Sequence, residues 1–352
     1  MSDINKKKSK TILILSPSHI GDALLITPSI KLLRKNFINS EISVLSCEFT
    51  SEVFTNNPYI DKIILENPEN FKKLKKIKYD ILVNFSPAVK DFIKAKKIKA
   101  DLRIGYYYKN MIISSVVSKI CLHKRLENPE DPGLYKKQNK KIRHEAEQNS
   151  DILKLLEINN VGKTGNLELY LNKSDLVFAE NILRDIKNRY SEITGIQVSS
   201  RWFWKECADY GLEYFINEIS DVFNNTGFVC LFDKKDKKLI SGLKKKIKKD
   251  NVFFIESMDL KKYASVISML DIIITVHSGT THISAAVGTP SGVIFNKEYF
   301  NYFSKRESPW MVQHKTIKKP YSEKEIIKLN SREIRNAIKD HSREIINSVK
   351  KL

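Results

Sequence analysis

Two short stretches of the sequence carry residues that could do chemistry, and the first centres on a carboxylate. The apolar run Thr11–Leu15 is followed by Ser-Pro-Ser-His-Ile and then by Gly21-Asp22, where a helical pattern begins. An acid at a helix start can cap that helix. A carboxylate at the mouth of a strand can also accept a proton from a bound hydroxyl group. The residues alone leave both roles open for Asp22.

The second stretch, Asp271–Phe295, combines a buried strand, a turn of small hydroxyl residues and a helix. The turn is Ser278-Gly279-Thr280-Thr281, and His282 follows in the first helical turn. Backbone N–H groups, hydroxyls and the positive end of a helix dipole form a phosphate site, and a glycine lets a ligand approach the backbone closely. The same Ser and Thr residues also cap a helix without any ligand, so phosphate binding and simple capping both remain open here.

Length and composition are typical of a globular protein with two domains. The chain has 352 residues, of which 41% are hydrophobic, and this is enough for two cores. No apolar run reaches the roughly 18 residues of a transmembrane helix, and the N-terminal MSDINKKKSK lacks the apolar segment of a signal peptide. We therefore expect a cytoplasmic protein. The spacing of the cysteines predicts reduced, mostly buried thiols and no metal site; they are Cys47, Cys121, Cys207 and Cys230.

The net charge of +20 has three possible explanations. It fits nucleic-acid binding, it fits work on an anionic substrate or beside an anionic membrane surface, and it also fits compositional drift in a lysine-rich chain. No nucleic-acid-binding motif of recognised spacing occurs, so we do not expect nucleic acid as a partner. Charge alone does not choose between the other two explanations.

Strand-like and helix-like segments alternate through both halves of the chain. This alternation predicts βαβ units and a mainly parallel sheet in each half. The predicted fold is α/β, with two Rossmann-like domains at 1–170 and 171–321 and a helical tail at 322–352. In open sheets of this kind ligands bind at the carboxyl ends of the strands, so two such domains would face each other across a cleft.

Taken together, the two stretches resemble glycosyltransferase family 9, the bacterial heptosyltransferases of lipopolysaccharide synthesis. The family's G-D-[AV]-h-h-x-x-P segment, in which h is apolar, reads GDALLITP from Gly21. Its D-[ST]-G-x-x-H-[IL]-A-A-x-x-G-x-P segment reads HSGTTHISAAVGTP from His277. Two motifs in the family's order and spacing form a specific signal, although only these segments match closely.

The resemblance implies a GT-B fold and transfer of a sugar from a nucleotide donor, with inversion and without a metal or other cofactor. The implied donor is ADP-L-glycero-D-manno-heptose, and the implied acceptor is an anionic, lipid-linked core saccharide bearing Kdo. The N-terminal domain would hold the acceptor, and the C-terminal domain would hold the nucleotide sugar. Asp22 would be the general base that deprotonates the acceptor hydroxyl.

The resemblance also assigns binding residues. The leaving diphosphate needs fixed donors, and a lysine after the first strand of the second domain often supplies a cation in the family. Here Lys205 fits that role, with Arg201 as a rival and an ordinary surface lysine as the simpler explanation. The implied nucleotide-sugar residues are Ser199, Ser200, Lys205, His277, Ser278, Gly279, Thr280, Thr281 and His282. The expected acceptor-binding residues are Gly21, Lys72, Lys76 and Arg103.

Three departures from the family pattern mark a divergent sequence. His277 replaces the family's aspartate, which helps to place the nucleotide sugar, so the donor is open. The family's H-P-G after the first strand of the second domain is Gln197-Val198-Ser199 here, and the glycine-rich turn after the next strand is missing. Two alternatives therefore remain: a family member with another nucleotide sugar or acceptor, and a non-catalytic polyanion binder. Basic clusters in the first domain also predict peripheral contact with the inner membrane surface.

Overall fold

The computed structural model describes residues 9–128, 142–158, 161, 165–223, 225–233, 236–256 and 258–352. The chain divides into two compact units, Met1–Tyr170 and Leu171–Leu352. The Pro- and Gly-containing segment predicted as a long loop lies largely at 129–141, outside the described residues.

The first unit is a six-stranded parallel sheet in the order β3-β2-β1-β4-β5-β6. Its strands are β1 Thr11–Leu15, β2 Glu41–Ser46, β3 Lys62–Leu65, β4 Lys78–Asn84, β5 Lys99–Tyr107 and β6 Lys124–Glu127. Its helices are α1 Ile20–Leu25, α2 Thr27–Asn36, α3 Glu48–Phe54, α4 Pro68–Leu74, α5 Val89–Lys97, α6 Ile112–Cys121 and α7 Glu145–Asp151, and α7 continues into the 3-10 turn Ile152–Leu156.

The second unit repeats this topology, with a parallel sheet in the order β12-β11-β10-β7-β8-β9. Its strands are β7 Glu192–Gln197, β8 Thr226–Phe232, β9 Val252–Glu256, β10 Ile272–Val276, β11 Ser291–Phe295 and β12 His314–Lys318. Its helices are α8 Lys173–Arg189, α9 Ala208–Val222, α10 Lys237–Lys246, α11 Leu260–Ser268, α12 Gly279–Val287, α13 Phe300–Arg306, α14 Glu323–Ile326 and α15 Ser331–Val349, with 3-10 turns at Lys205–Cys207 and Lys297–Tyr299.

The central strands are continuous apolar runs because helices cover both faces of each sheet. In β1, Ile12, Leu13 and Ile14 are completely buried. Leu15 at the end of β1 pairs with Leu45 of β2 on one side and with Asn84 of β4 on the other. The prediction of an α/β fold with two Rossmann-like sheets is therefore confirmed.

The C-terminal helix α15 belongs to the core of the second unit. Its residues Ile338 and Ile345 are buried in one cluster with Trp202, Phe203 and Trp204. The indole N–H of Trp204 donates to Tyr321 O at 2.8 Å, so the segment leading into the helix is also held. The helical tail expected at 322–352 thus exists as helix and packs within Leu171–Leu352.

In both sheets the first strand and the fourth strand of the unit lie side by side, with the chain winding away from them in opposite directions. These neighbours are β1 and β4 in the first unit and β7 and β10 in the second. Such a switch point opens a crevice at the carboxyl ends of the strands, where ligands bind in open α/β sheets. Asp22 follows β1, and the His277–His282 segment follows β10.

Candidate active site

Asp22 lies at the switch point of the first sheet, in the first turn of α1. Its side chain is 48% exposed, and its Oδ2 lies 3.5 Å from Nδ1 of His19. Gly21 beside it is buried, which lets the short helix start directly above the end of β1. The carboxylate is therefore presented to solvent at the edge of the sheet where a substrate would bind.

Asp22 is not the residue that caps helix α1. The N-cap position of α1 is held by His19, whose side chain makes no capping hydrogen bond. Asp22 is the third residue within the helix, where its charge still interacts favourably with the helix dipole. The geometry therefore fits a carboxylate that faces a ligand rather than one that caps the helix.

Of the residues predicted to bind the acceptor, Gly21 adjoins Asp22, whereas the two lysines lie elsewhere in the first unit. Lys76 is two residues before β4, at the amino edge of the sheet, whereas Asp22 follows the carboxyl end of β1. The five residues of β1 separate these edges by roughly 13 Å at 3.3 Å per residue. Lys72 is exposed on α4, which runs back toward the amino edge.

Arg103 already has structural partners. Its guanidinium donates to Ala95 O at 3.0 Å and to Ile98 O at 2.7 Å, which satisfies the carbonyls at the end of α5. Burial lowers the pKa of this guanidinium. The acceptor-binding role of Arg103 stays a prediction, and these contacts argue against it.

Gln197 ties the two central strands of the second sheet together at their carboxyl ends. Its Oε1 accepts a hydrogen bond from the Thr275 hydroxyl and another from Ser278 Oγ at 3.3 Å. The Ser199 hydroxyl accepts the Arg201 N–H at 3.3 Å. Ser199 and Ser278, predicted from separate parts of the chain, thus lie at the same edge of the sheet, where the exposed Ser200 also lies.

The hydroxyl groups of the turn before α12 serve the protein itself. Thr281 Oγ1 accepts the Ser278 N–H at 3.2 Å, and Thr280 Oγ1 lies 3.1 Å from the Tyr263 hydroxyl. Burial raises the pKa of Tyr263 to about 12, so this phenol stays neutral. Both threonines are buried. A diphosphate bound here would meet the backbone N–H groups of Gly279 and Thr280 at the start of α12, because the Thr281 N–H already donates to Ser278 O at 3.0 Å.

His277 forms a partly buried pair with a glutamate that the sequence alone did not point to. Its Nε2 lies 2.6 Å from Oε2 of Glu307, and its ring stacks on Phe295 with centroids 4.9 Å apart. Burial alone would raise the pKa of Glu307, but the hydrogen bond from His277 and the nearby positive charges outweigh it and hold that pKa below its usual range. The place of the family's aspartate is therefore occupied by a histidine anchored to a carboxylate.

His282 completes a group of three side chains that have metal-ligand chemistry. Ligand atoms of His277, His282 and Glu307 all lie within 4.8 Å of one another. Two imidazoles and a carboxylate suit zinc and other divalent transition metals. Within the described ranges this is the one such group, and it arises because His282 in α12 is buried beneath the end of β10.

Three basic side chains are candidates for contact with the leaving diphosphate. Arg201 lies closest to the turn, since its Nη1 donates to His277 O at 3.3 Å. Lys205 is exposed, and its backbone N–H donates to Glu323 Oε2 at 3.2 Å. Lys319, after β12, is buried and donates to Phe203 O at 3.1 Å; burial lowers its pKa to about 8. The geometry therefore favours Arg201 over Lys205 as the cation beside the turn.

A small cavity of about 110 Å³ lies at the carboxyl ends of β10 and β11. Its polar lining comes from Arg201, His277 and Asn296, and the rest is aliphatic and aromatic, including the rings of Phe295, Tyr299 and Phe303. A larger cavity of about 350 Å³ lies at the opposite edge, where β7, β8 and β10 begin, away from the predicted site residues. A cavity of this size holds only part of a nucleotide, and its aromatic walls beside Arg201 suit the base.

The topology and these sites define the class of protein. Two Rossmann-like units, each with polar residues at the switch point of its sheet, are the architecture of GT-B glycosyltransferases. Residues 195–333, most of the second unit, match the model of glycosyltransferase family 9 (heptosyltransferase). This match confirms the resemblance to that family, and with the fold it supports glycosyltransferase activity. No curated protein matches the chain in sequence.

Solved structures share the whole architecture at low sequence identity. A family 9 glycosyltransferase from Veillonella parvula has a TM-score of 0.71 at 17% identity, with 93% of this chain and 97% of that chain covered. The E. coli ADP-heptose lipopolysaccharide heptosyltransferase II has a TM-score of 0.68 at 12% identity, covering 95% and 99%. The E. coli heptosyltransferase WaaC with ADP has a TM-score of 0.61 at 13% identity, covering 96% and 99%. At these identities the likeness concerns the fold.

Proposed function

We propose that this protein is an inverting glycosyltransferase that moves heptose from ADP-L-glycero-D-manno-heptose to an anionic lipopolysaccharide core acceptor, without a metal ion. The observation that carries the proposal is the placement of the two motifs. Each lies at the switch point of its own sheet, with Asp22 in one unit and the turn before α12 in the other. Solved heptosyltransferases of the same fold, one of them with ADP, support the choice of donor.

In the proposed reaction the acceptor oxygen attacks the anomeric carbon of the donor while the bond from that carbon to the diphosphate breaks. Asp22 accepts the proton of the attacking hydroxyl. Its 48% exposure leaves room for this contact, and proton transfer by such a base contributes typically 10²–10⁴-fold to a rate. The negative charge that develops on the departing diphosphate is met by the first N–H groups of α12 and by Arg201.

A different nucleotide sugar is the second candidate donor, and the His277–Glu307 pair favours it. The resemblance implies that the family's aspartate helps to place the nucleotide sugar. His277 instead directs Nε2 toward Glu307 at 2.6 Å and packs its ring on Phe295. A side chain held in this way cannot present the same carboxylate oxygens to the sugar.

The first test is thermal unfolding of the protein with ADP, UDP, GDP, CDP and their sugar conjugates. A ligand present at 100 times its Kd stabilises the folded state by about 2.7 kcal/mol. Preference for ADP would support ADP-heptose, and preference for another diphosphate would move the proposal to the second donor. A protein that none of the diphosphates stabilises would contradict both.

The second test addresses the base. With the preferred donor and a lipid A–Kdo acceptor, Asp22→Asn should lower kcat by about 10²–10⁴-fold and leave nucleotide affinity unchanged. Asp185→Asn, on the exposed face of α8, is the matched control and should keep full activity. Unchanged turnover in Asp22→Asn would remove Asp22 from the reaction.

The third test addresses metal independence, because His277, His282 and Glu307 are the residues that could hold an ion. Transfer should continue after dialysis against EDTA and should not increase when zinc or manganese is added back. Loss of activity that zinc restores would contradict the metal-independent mechanism and would point to this group of side chains.

A further inference from the structure

Helix α6 in the first unit is inverted with respect to an ordinary surface helix. Its inner side carries the buried Ser114 and Ser118 beside Cys121 and the partly buried Val117, whereas its largest apolar residues, the isoleucines, are exposed. Ile112 is 74% exposed, Ile113 73% and Ile120 65%. At 100° per residue the exposed positions 112, 113, 116 and 120 fall within an arc of about 100°, so they form one continuous apolar stripe.

The buried polar side is fixed by specific contacts, so this orientation is built into the fold. Ser114 Oγ donates to Pro87 O at 2.5 Å, which ties α6 to the loop after β4. The Arg125 guanidinium donates to Ser115 O at 2.8 Å and to Ser118 Oγ at 3.1 Å. Rotation of α6 to bury the isoleucines would break these bonds.

The neighbouring helix also exposes an isoleucine, and both helices carry many positive charges. Helix α5 packs against α6 and exposes Ile93 at 42%. The segment from Lys90 to Arg125 contains ten lysines and arginines and two aspartates. One of these aspartates, Asp91, is buried and pairs with Lys94 at 2.9 Å. The exposed cations on and beside the two helices are Lys90, Lys96, Lys97, Lys109 and Lys119.

We propose that the α5–α6 face, defined by Ile93, Ile112, Ile113, Val116 and Ile120 with the lysines around them, inserts into the surface of an anionic phospholipid membrane. An apolar stripe bordered by lysines is the pattern of helices that lie in the membrane interface. Lysines near the surface of an anionic bilayer add attraction. A contiguous exposed apolar patch of this kind marks an interaction site on a soluble protein.

Two observations favour a membrane over other occupants. A symmetric contact with a second copy would place the same patch on both sides and would bring lysines against lysines. Among the described helices none is long and apolar enough to cross a bilayer, and the ten residues of α6 span about 15 Å. The helix can therefore lie in the interface but cannot span the membrane.

The proposal rests on the function proposed above and deepens it. Helix α6 begins at the same edge of the sheet at which Asp22 lies. Helix α6 follows β5, which is two strands from β1 in the sheet, or about 10 Å at the usual strand spacing. A unit docked through α6 would hold this edge close to the headgroups, where a lipid-linked acceptor is found.

The test is co-sedimentation of the full chain with sucrose-loaded vesicles that contain neither acceptor nor nucleotide. Wild-type protein should bind vesicles of 30% phosphatidylglycerol in phosphatidylcholine. The double variant Ile112→Ser, Ile113→Ser should bind them about 100-fold more weakly, because each isoleucine that enters the membrane contributes roughly tenfold to the affinity. The control is Ile38→Ser with Ile327→Ser, which removes two isoleucines that are 70% and 61% exposed elsewhere and should bind as wild type.

The proposal is wrong if wild-type protein does not bind the anionic vesicles. It is also wrong if the Ile112→Ser, Ile113→Ser variant binds them as tightly as wild type. A dimer in light scattering that dissociates in that variant would assign the face to a second copy instead. Asp22→Asn should bind vesicles as wild type does, so failure of the transfer reaction and failure of membrane docking would be told apart.

Discussion

The buried imidazole of His341 predicts a specific acid sensitivity of the second unit. His341 on α15 is fully buried, with its ring 5.7 Å from that of Phe203 and 6.1 Å from that of Trp204. Neither ring nitrogen has a hydrogen-bond partner. Burial, aided by the charge of Lys319, lowers the pKa of His341 from 6.5 to about 3. The folded protein therefore cannot take up a proton that the unfolded chain takes up below pH 6.5.

The sign and size of the effect follow from proton linkage. Because the pKa is lowered in the folded state, the stability is fully present above pH 6.5 and is lost as the pH falls toward 3. Each unit of pH in this window costs about 1.4 kcal/mol of unfolding free energy. At pH 5 the loss from this one residue amounts to about 2 kcal/mol, which is a large share of the stability of an ordinary domain.

The perturbation that isolates this effect is His341→Phe, which keeps an aromatic ring in the core and removes the titrating group. Its stability at pH 7 should lie within about 1 kcal/mol of wild type, and at pH 5 it should exceed wild type by about 2 kcal/mol. Urea unfolding followed by tryptophan fluorescence measures this directly, because all three tryptophans, at 202, 204 and 310, lie in the second unit. His314→Phe is the control for loss of a histidine from the same unit. If wild type and His341→Phe lose equal stability between pH 7 and pH 5, the reasoning is wrong.

Three further predictions concern the donor site and its support. Arg201→Ala should weaken ADP binding about tenfold, the value of one charged hydrogen bond, while Lys205→Ala should change it less than twofold; calorimetric titration of both variants decides between them. Gly211→Ala should lower the unfolding free energy by about 1–3 kcal/mol, because a β-carbon there would collide with a core phenylalanine ring, and an unchanged melting temperature would contradict this. Glu307→Gln should lower the unfolding free energy by about 1–3 kcal/mol at pH 7, because it weakens the bond to His277. The difference from wild type should shrink as the pH falls below 4.5, because the wild-type carboxylate then becomes protonated and loses the stability given by its lowered pKa.

The fold was predictable because each sheet is built from buried parallel strands. Runs such as Thr11–Leu15 and Ile272–Val276 are apolar at nearly every position, which is typical of strands covered on both faces. Five elements were not predicted: β6, α6, α8, β12 and α13. Strands β6 and β12 lie at sheet edges, where one side is open and the sequence can be polar. For this reason Lys124–Glu127 and His314–Lys318 carry charged residues that hide the strand.

The candidate site was predictable only where its residues are close together in sequence. Asp22 and the turn from Ser278 to His282 each follow a strand directly, so the local pattern already indicates the edge of the sheet. Glu307 is 30 residues beyond His277, and the sequence gives no sign that α13 returns it to the end of β10. Lys319 looks like one more surface lysine, since only the packing around β12 makes it buried.

The inverted helix α6 shows why hydrophobic pattern alone could not find the α5–α6 face. A stripe such as Ile112, Ile113, Val116 and Ile120 has helical periodicity whether it faces the core or the solvent. Periodicity normally implies burial because a buried stripe is the more stable choice. Here the opposite side carries Ser114 and Ser118 beside Val117 and Cys121, and the Ser114 hydroxyl donates to the loop after β4. Which side faces inward is therefore decided by tertiary hydrogen bonds, and these hold the apolar side where a membrane can reach it.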